Sequence, residues 1–357
     1  DVVREVADAC KKYGLRFGIY VSPWDRNHPH YGETEYVEYY RNQLSELFST
    51  YDPIFEMWFD GANGGDGYYG GANEKRRIDG STYYDWPNTL ELVRAHEPGI
   101  IFFSDAGPGV RWVGNERGIA GETNWNMITP DTLYAGKAGI ENLLQTGSEN
   151  GTHWIPAEVD VSIRPGWFYH ASEDTLVKTP QQLFDIYLTS VGRGSTLLLN
   201  IPPDRRGLVH ESDVAALRGF RKLIDDAFTI NLAAGATVRV SRSRGNHPGY
   251  GGDQLTDNQD STYWCVDDDV TTGWATVELA EENIINYIVL KEAILLGQRV
   301  KRFSVEALVG NGWKVIGSGT TIGYKRVLKV DALTTKQVRV YVQESRACFA
   351  ISEIEIY

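Results

Sequence analysis

Cysteine, basic charge and long apolar runs are all scarce in this chain of 357 residues. The three cysteines, Cys10, Cys265 and Cys348, are far apart and odd in number, so they indicate neither a metal-binding motif nor a disulfide framework. Asp and Glu (48) outnumber Lys and Arg (35), and the formal net charge of −13 argues against a nucleic-acid partner, because phosphate binding needs a basic surface. No apolar run reaches the roughly 18 residues that span a bilayer, so we expect no membrane span.

The first residues also lack an initiator methionine and a signal peptide. Residues 1–13 instead show the spacing of a helix, with apolar side chains at Val3, Val6, Cys10 and Tyr13. We therefore expect the chain to begin inside a folded domain.

Aromatic side chains, in contrast, are abundant, with 10 Trp and 20 Tyr. Many of these rings belong in a core. Flat apolar rings also cover the C–H faces of pyranoses, so the composition is compatible with sugar binding.

Residues 1–228 alternate helical patterns with short apolar strands, which we place at 16–22, 55–60, 100–104, 157–161 and 196–201. This alternation predicts an α/β domain with a parallel sheet. A (β/α)8 barrel needs eight strands and about 250 residues. We therefore predict a (β/α)8-type barrel that is incomplete at the N-terminus, lacking its first two or three units.

Residues 229–357 have a different texture, in which helical patterns vanish and short strands recur between turn signals. Regularly spaced strands of this kind predict an antiparallel all-β sandwich. We place the domain boundary near residues 227–231.

The most informative segment is residues 55–61, an apolar strand that ends in Asp60 and Gly61 before a Gly/Asn-rich run. Side chains alternate along a strand, so one face is apolar and the other carries Glu56, Trp58 and Asp60. A carboxylate at the C-terminal end of a barrel strand is well placed for catalysis.

Glycoside cleavage generally needs a second carboxyl group across the scissile bond. Glu116, in the glycine-punctuated loop 109–118, and Glu122, in residues 121–125, are the two alternatives. A carboxylate on a surface loop is often merely solvated, so the residues alone leave this choice open.

Alternation also predicts that Tyr20, Glu158 and Asp160 face the barrel lumen, while Arg164 and Trp167 lie on the next loop. Of these, we take Tyr20, Glu158, Arg164 and Trp167 as candidate substrate-binding residues. Each acid could instead be a buried structural group paired with an arginine. His28 and His30 lack a third ligand at motif spacing, so we predict no zinc site and no other cofactor in the barrel.

Five segments, taken in order, resemble family 29 α-L-fucosidases, and most of all the subfamily that acts on α-1,3/1,4 linkages of Lewis-type glycans. They are residues 22–25, 57–61, 112–116, 160–169 and 198–204. The resemblance implies that Asp60 is the nucleophile and Glu116 the acid/base, with Trp58 and Trp167 lining a fucose pocket. It implies retaining release of fucose from a fucosylated oligosaccharide by a secreted or periplasmic enzyme.

The C-terminal part resembles discoidin-type jelly rolls, in residues 255–258, 263–264 and 351–356. Some members of that group bind sugar or calcium. We expect a structural role here and allow for one structural calcium ion.

The family's histidine motifs, which resemble His-Trp-Gly and His-His-Asp-Gly-Phe and hold the fucose hydroxyls, are not in this chain. Two other functions therefore stay open. One is a non-catalytic carbohydrate-binding protein built on a truncated glycosidase barrel, and the other is a glycosidase specific for a different sugar.

Overall fold

The computed structural model describes residues 1–51, 53–61 and 65–357. Residues 62–64, part of the Gly/Asn-rich run after Asp60, lie outside the described residues. The chain divides into two compact units. The first comprises Asp1–Gly114, Met127–Leu144 and Asn150–Glu158, and the second comprises Asn115–Asn126, Gln145–Glu149 and Val159–Tyr357. None of the described helices combines the length and apolar character that a membrane crossing requires.

The first unit is an α/β structure. Its helices are α1 (Val2–Tyr13), α2 (Thr34–Thr50), α3 (Trp86–His96) and the start of α4 (Glu141–Thr146). Its strands are β1 (Gly18–Tyr20), β2 (Glu56–Trp58), β3 (Gly67–Tyr69), β4 (Glu74–Arg76), β5 (Ile101–Ser104), β6 (Val110–Trp112), β7 (Met127–Ile128), β8 (His153–Trp154) and the first residues of β9 (Ala157–Ser162). Strands β1, β2, β5, β6 and β9 pair in that order, in parallel, while β3–β4 and β7–β8 are antiparallel pairs.

Strand β2 follows the predicted alternation. Met57 and Phe59 are fully buried and pack in one core with apolar side chains of α2, including Tyr40 and Leu44. The other face of the strand is only partly buried. The apolar face therefore packs against helix α2, and the polar face carries the candidate catalytic side chains.

The prediction was wrong for strand β6, because we assigned residues 109–118 to a loop and placed no strand there. The strand is short, and its central residue, Arg111, is fully buried. The guanidinium donates to the backbone carbonyls of Leu144 and Ile155, which satisfies it inside the fold. A strand built around an arginine carries no apolar signal in the sequence.

The second unit contains the rest of β9, which pairs with β10 (Thr196–Asn200), and helices α5 (Pro180–Thr189) and α6 (Glu211–Phe228). A capping box between Thr179 and Gln182 starts α5. The unit also contains the antiparallel strands β11 (Thr237–Val240), β12 (Trp264–Cys265), β13 (Gly273–Glu292), β14 (Val300–Val309), β15 (Gly312–Gly319), β16 (Arg326–Ser345) and β17 (Ala350–Ile356).

These seven strands form one antiparallel network, in the order β12-β17-β13-β16-β14-β15 with β11 on β13. Where we predicted only short strands, β13 and β16 are long strands of 20 residues each, and the pairing between them is interrupted by register shifts. An apolar core of Val, Ile, Leu and Phe side chains, with Trp264 fully buried, stabilises the sandwich. The predicted fold class, α/β followed by all-β, is confirmed.

Candidate active site

Asp60 follows β2 directly and is hydrogen-bonded by a tyrosine from the neighbouring strand. Tyr20 ends β1 and pairs in register with Trp58. Its hydroxyl donates to Oδ2 of Asp60. Partial burial, together with the Asp60 carboxylate, raises the pKa of Tyr20, so the phenol keeps its proton and remains a donor. The Tyr20 hydroxyl and the Asp60 carboxylate therefore lie together at this end of the strands, a contact that we did not predict.

A second acidic residue, Asp105, lies beside Asp60 and was not among the predicted site residues. It follows β5 directly, and its carboxyl group packs against Gly61 so closely that a Cβ there would lie 2.2 Å from Oδ2. Oδ2 accepts a hydrogen bond of 2.7 Å from the Gly136 amide. Burial, and then the charge of Asp60, raises the pKa of Asp105. An acid directly after a strand is the pattern that identified Asp60, so the signal was available.

Trp58 provides a flat aromatic surface on the same polar face. Its indole stacks on Phe103 of β5 at 3.8 Å between ring centroids and 6° between planes. Tyr20 stacks on it at 5.2 Å and 30°. The indole Nε1 donates to Oε1 of Glu158 at 3.0 Å. Two stacking partners and one hydrogen bond therefore fix the orientation of this partly buried ring near Asp60.

Glu158 and Glu56 form a carboxyl pair that supports Trp58. Glu158 is only 6% exposed and accepts the indole hydrogen bond. Burial, and next the charge of Glu158, raises the pKa of Glu56 to about 7, and the two side chains are hydrogen-bonded. Two adjacent buried carboxyl groups cannot both ionise cheaply, so they share a proton over much of the acid range. Glu158, which we predicted to face the lumen, therefore also holds the Trp58 indole in place.

Glu116 belongs to the second unit and lies on a tight turn. Asn115 braces the turn, since Oδ1 accepts from the Arg117 amide at 3.1 Å and Nδ2 donates to the Ile119 carbonyl at 2.9 Å. Gly118 has a φ of +82°, which favours glycine. The Glu116 side chain is exposed, which leaves its carboxyl group available to a ligand.

Glu122, the alternative to Glu116, is held by two arginines. Its carboxylate forms ion pairs with Arg193 and, at 2.7 Å, with Arg326. Because each oxygen already faces a guanidinium group, this carboxylate is engaged in contacts within its own unit. The contacts favour Glu116 as the acid/base.

Arg164 is fully buried and engaged inside the second unit. Its Nε contacts Asp213 at 3.1 Å, its Nη1 contacts Asp174 at 2.9 Å, and its guanidinium covers the Tyr169 ring. These contacts favour a structural role, and substrate binding by Arg164 stays a prediction.

Trp167 lies on the same loop and remains 37% exposed. Asn200, at the end of β10, donates to the Trp167 carbonyl and to Oγ of Ser162, both at 3.0 Å. Asn200 therefore fixes the backbone of Trp167, which we predict to line the sugar pocket.

Asp160, which alternation also predicts to face inward, is buried in β9.

The described residues contain no group of three or more His, Cys, Asp or Glu side chains that could hold a metal ion. His30 pairs with Glu33 at 2.8 Å rather than forming part of a ligand cluster with His28.

Two carboxyl groups nevertheless converge in the sandwich. The Gln259 amide donates to Oδ1 of Asp257 at 3.0 Å and to Oε1 of Glu353 at 2.9 Å. Oε2 of Glu353 is buried with no hydrogen-bond partner. Burial, reinforced by the charges of Asp257 and Glu355, raises the pKa of Glu353 to about 7. Orphaned acidic oxygens of this kind suit a hard cation with oxygen ligands.

Comparison with known proteins begins with two sequence families. The family described as Alpha-L-fucosidase matches residues 1–225, and the family described as F5/8 type C domain matches residues 237–354. The second match agrees with the predicted discoidin-type jelly roll. The predicted domain boundary after residue 228 lies between the two matches and stays a prediction.

Individual relatives cover the whole chain. Alpha-L-fucosidase 1 of Arabidopsis thaliana is 38% identical over 363 residues, which are 100% of this chain and 69% of the relative. A glycoside hydrolase 29 family member from an unknown rumen bacterium is 40% identical, with a TM-score of 0.84 and coverage of 100% and 60%. A Ruminococcus gnavus GH29 fucosidase in complex with fucose is 32% identical, with a TM-score of 0.86 and coverage of 100% and 75%.

The chain spans about two thirds of the length of the curated relatives it matches, 66% and 69%. The predicted resemblance to α-L-fucosidases is confirmed at the level of the family, and so is the barrel-type domain followed by a discoidin sandwich. This chain belongs to the α-L-fucosidase family of glycosidases, glycoside hydrolase family 29.

Proposed function

We propose that this protein is a retaining exo-α-L-fucosidase that uses Asp60 as the nucleophile and Glu116 as the acid/base. One observation carries the proposal, namely that Asp60 lies at the end of β2, hydrogen-bonded by Tyr20 and next to the stacked indole of Trp58. The similarity to a Ruminococcus gnavus fucosidase in complex with fucose supports the choice of sugar.

In the first step, a carboxylate oxygen of Asp60 attacks the anomeric carbon of fucose. The bond from that carbon to the leaving oxygen breaks, and Glu116 transfers its proton to the leaving oxygen. The product is a β-fucosyl ester on Asp60, and the remaining glycan departs.

In the second step, Glu116 takes a proton from a water molecule, whose oxygen attacks the anomeric carbon. The ester bond breaks and the electron pair returns to Asp60. Two inversions give net retention. Retention by this route predicts about 5–5.5 Å between the two carboxyl groups in the working enzyme.

Tyr20 and Trp58 prepare the nucleophile and the sugar. The Tyr20 hydroxyl holds Oδ2 of Asp60, which fixes the rotation of the carboxylate. The indole of Trp58, held by Phe103 and Glu158, is only partly buried, and we propose that its accessible edge contacts the sugar ring. Trp167, held by Asn200, is our second wall for the fucose pocket.

The substrate class we propose is an α-1,3- or α-1,4-linked fucose on a branched, Lewis-type glycan. The five motifs that resemble this subfamily support it. Such glycans are displayed outside the cytoplasm, so we further propose that the protein is secreted or periplasmic.

The decisive experiment measures fucose release from a Lewis trisaccharide and from 2′-fucosyllactose, and traps the intermediate with a 2-fluoro-fucosyl fluoride. We expect release from the Lewis glycan, slower release from 2′-fucosyllactose, and a covalent label on Asp60 by peptide mass spectrometry. A label on any other residue contradicts the assignment of Asp60. Binding of fucosylated glycans without any release would favour a non-catalytic lectin, and cleavage of an aryl galactoside in preference to an aryl fucoside would favour a different sugar.

For the sandwich we propose a structural calcium ion bound by Asp257 and Glu353. The orphaned Oε2 of Glu353 supports this site. Added calcium should raise the melting temperature of the wild type, and Glu353→Gln should abolish that rise while the exposed control Glu282→Gln keeps it. An equal response in all three proteins contradicts the site.

A further inference from the structure

The loop that carries Glu116, residues 115–126, belongs to the same compact unit as the β-sandwich. We call it the Glu116 loop. We propose that the β-sandwich is a positioning device for catalysis, which holds the Glu116 loop through Arg326 and Gln298. This inference rests on the proposed role of Glu116 as acid/base.

The first part of the loop is attached to the end of α5. The Gly118 carbonyl accepts a hydrogen bond from Oγ1 of Thr189, and the Ala120 amide donates to the Thr189 carbonyl, both at 2.9 Å. Gly118 also packs so closely on Ile186 that a Cβ would lie 2.9 Å from its side chain. The turn that presents Glu116 is therefore fixed on one side by a helix.

The middle of the loop is attached to the sandwich through Arg326, the first residue of β16. Arg326 is only 4% exposed, and its guanidinium donates to the Glu122 carbonyl at 2.8 Å and to Oε2 of Glu122 at 2.7 Å. The hydroxyl of Thr320 donates to the same carbonyl at 3.1 Å. The sandwich thus forms hydrogen bonds with both the backbone and the side chain of Glu122.

The end of the loop is attached through Gln298, which is 3% exposed. Its Nε2 donates to the Asn124 carbonyl at 2.8 Å, and its Oε1 accepts from the Asn126 amide at 2.9 Å. The Asn124 amide donates to Oγ1 of Thr321 at 2.9 Å. Both asparagines are nearly fully buried, so these backbone groups have no access to bulk water. Losing such partners is costly, because each leaves a buried polar group unsatisfied.

A general acid must reach the leaving oxygen within hydrogen-bond distance, and a shift of about 1 Å can cost about 100-fold in rate. The sandwich contacts begin only six residues after Glu116, at Glu122. Without them, this side of the loop keeps its hydrogen bonds to residues 193–195 but loses those to the sandwich, so we expect its position to be less tightly fixed. The sandwich therefore acts on the proton-transfer step, although none of its side chains needs to touch the sugar.

The test compares two aryl α-L-fucosides on the full chain, one with a poor leaving group and one with an activated leaving group that departs without a proton. The variants Arg326→Met and Gln298→Leu should lose about tenfold or more in kcat/KM on the poor leaving group and much less on the activated one. The control is Lys325→Met, which removes a neighbouring side chain that contacts Tyr187 at 3.5 Å, and it should leave both rates unchanged. Equal losses on both fucosides in the two variants would overturn the inference.

A second measurement keeps the test valid if a variant folds poorly or has no activity. Hydrogen exchange of the loop amides, followed by mass spectrometry, should accelerate within residues 115–126 in Arg326→Met and Gln298→Leu but not in Lys325→Met. Unchanged exchange in the loop overturns the inference. A wild type that cleaves neither fucoside contradicts the proposed function instead, while accelerated exchange would still uphold the attachment to the sandwich.

Discussion

The surroundings of Asp60 and those of Glu116 are built in different ways. Asp60 is framed by residues of adjacent parallel strands, Tyr20, Trp58 and Phe103, whose positions follow from strand register. Glu116 lies on a turn whose loop is fixed by side chains far away in sequence, with Arg326 reaching Glu122 over 204 positions. The position of the proposed nucleophile therefore follows from the pairing of neighbouring strands, whereas that of the proposed acid depends on contacts between residues far apart in sequence.

We expect the largest effect on activity from a substitution at Asp60. The variant Asp60→Asn removes the attacking carboxylate while keeping its shape, so we expect kcat to fall by about 10⁴-fold or more. Turnover of an activated aryl fucoside measures this, and circular dichroism checks the fold. The exposed control Asp131→Asn should be fully active. An active Asp60→Asn protein would remove Asp60 from the mechanism.

The second prediction concerns the acid/base. For Glu116→Gln we expect a loss of about 10²–10⁴-fold on a Lewis glycan, because general acid catalysis contributes that much, and a smaller loss on an activated aryl fucoside. In Glu116→Ala, added azide should restore turnover by replacing the water. Glu122→Gln should resemble the sandwich variants, with a moderate loss. Full activity in Glu116→Gln together with a severe loss in Glu122→Gln would reverse the assignment.

The third prediction sharpens the strand side of the comparison. In Tyr20→Phe the ring still stacks on Trp58, but the hydrogen bond that the Tyr20 hydroxyl donates to the Asp60 carboxylate is lost. Such a bond contributes about 1.5–3 kcal/mol, so we expect kcat/KM to fall by roughly 10- to 100-fold. The melting temperature should change little, because the group is at a partly exposed site. A large loss of stability with unchanged kcat/KM would assign Tyr20 to folding alone.

The smallest effect concerns the carboxyl pair that supports Trp58. The raised pKa of Glu56, about 7, means that the folded state keeps a proton that the unfolded state loses from its ordinary pKa of 4.5 upward. This contribution to stability is complete below the ordinary pKa and is lost as pH rises through about 7. Thermal unfolding should therefore show a steeper fall in stability between these values for wild type than for Glu56→Gln. The exposed control Glu91→Gln should follow the wild type, and parallel curves for all three would contradict a shared proton.

Sequence patterns carried the strand-based part of the site well. Alternation placed Met57 in the core and Trp58 on the polar face, and the same rule could have added Asp105, which also follows a strand directly. Patterns failed where one buried charge replaces an apolar run, as at Arg111 in β6.

The sequence also could not separate Glu116 from Glu122. The two acids are six positions apart in the same loop, and their difference lies in partners that local spacing does not reveal. Arg193 is 71 positions from Glu122 and Arg326 is 204 positions away. Family resemblance favoured Glu116, and the ion pairs of Glu122 now give a physical reason for the same choice.

The buried hydrogen bonds between the Gln298 side chain and the backbone of Asn124 and Asn126 have a consequence for protein engineering. A sandwich that serves as a spacer could be exchanged for another module or trimmed away. Here a chimera would have to reproduce an amide at position 298 and a guanidinium at position 326 with the same reach. Under the proposed role of the Glu116 loop, the C-terminal sandwich is part of the frame that positions the catalytic acid, and we expect domain shuffling at this junction to be tolerated only between chains that keep both side chains.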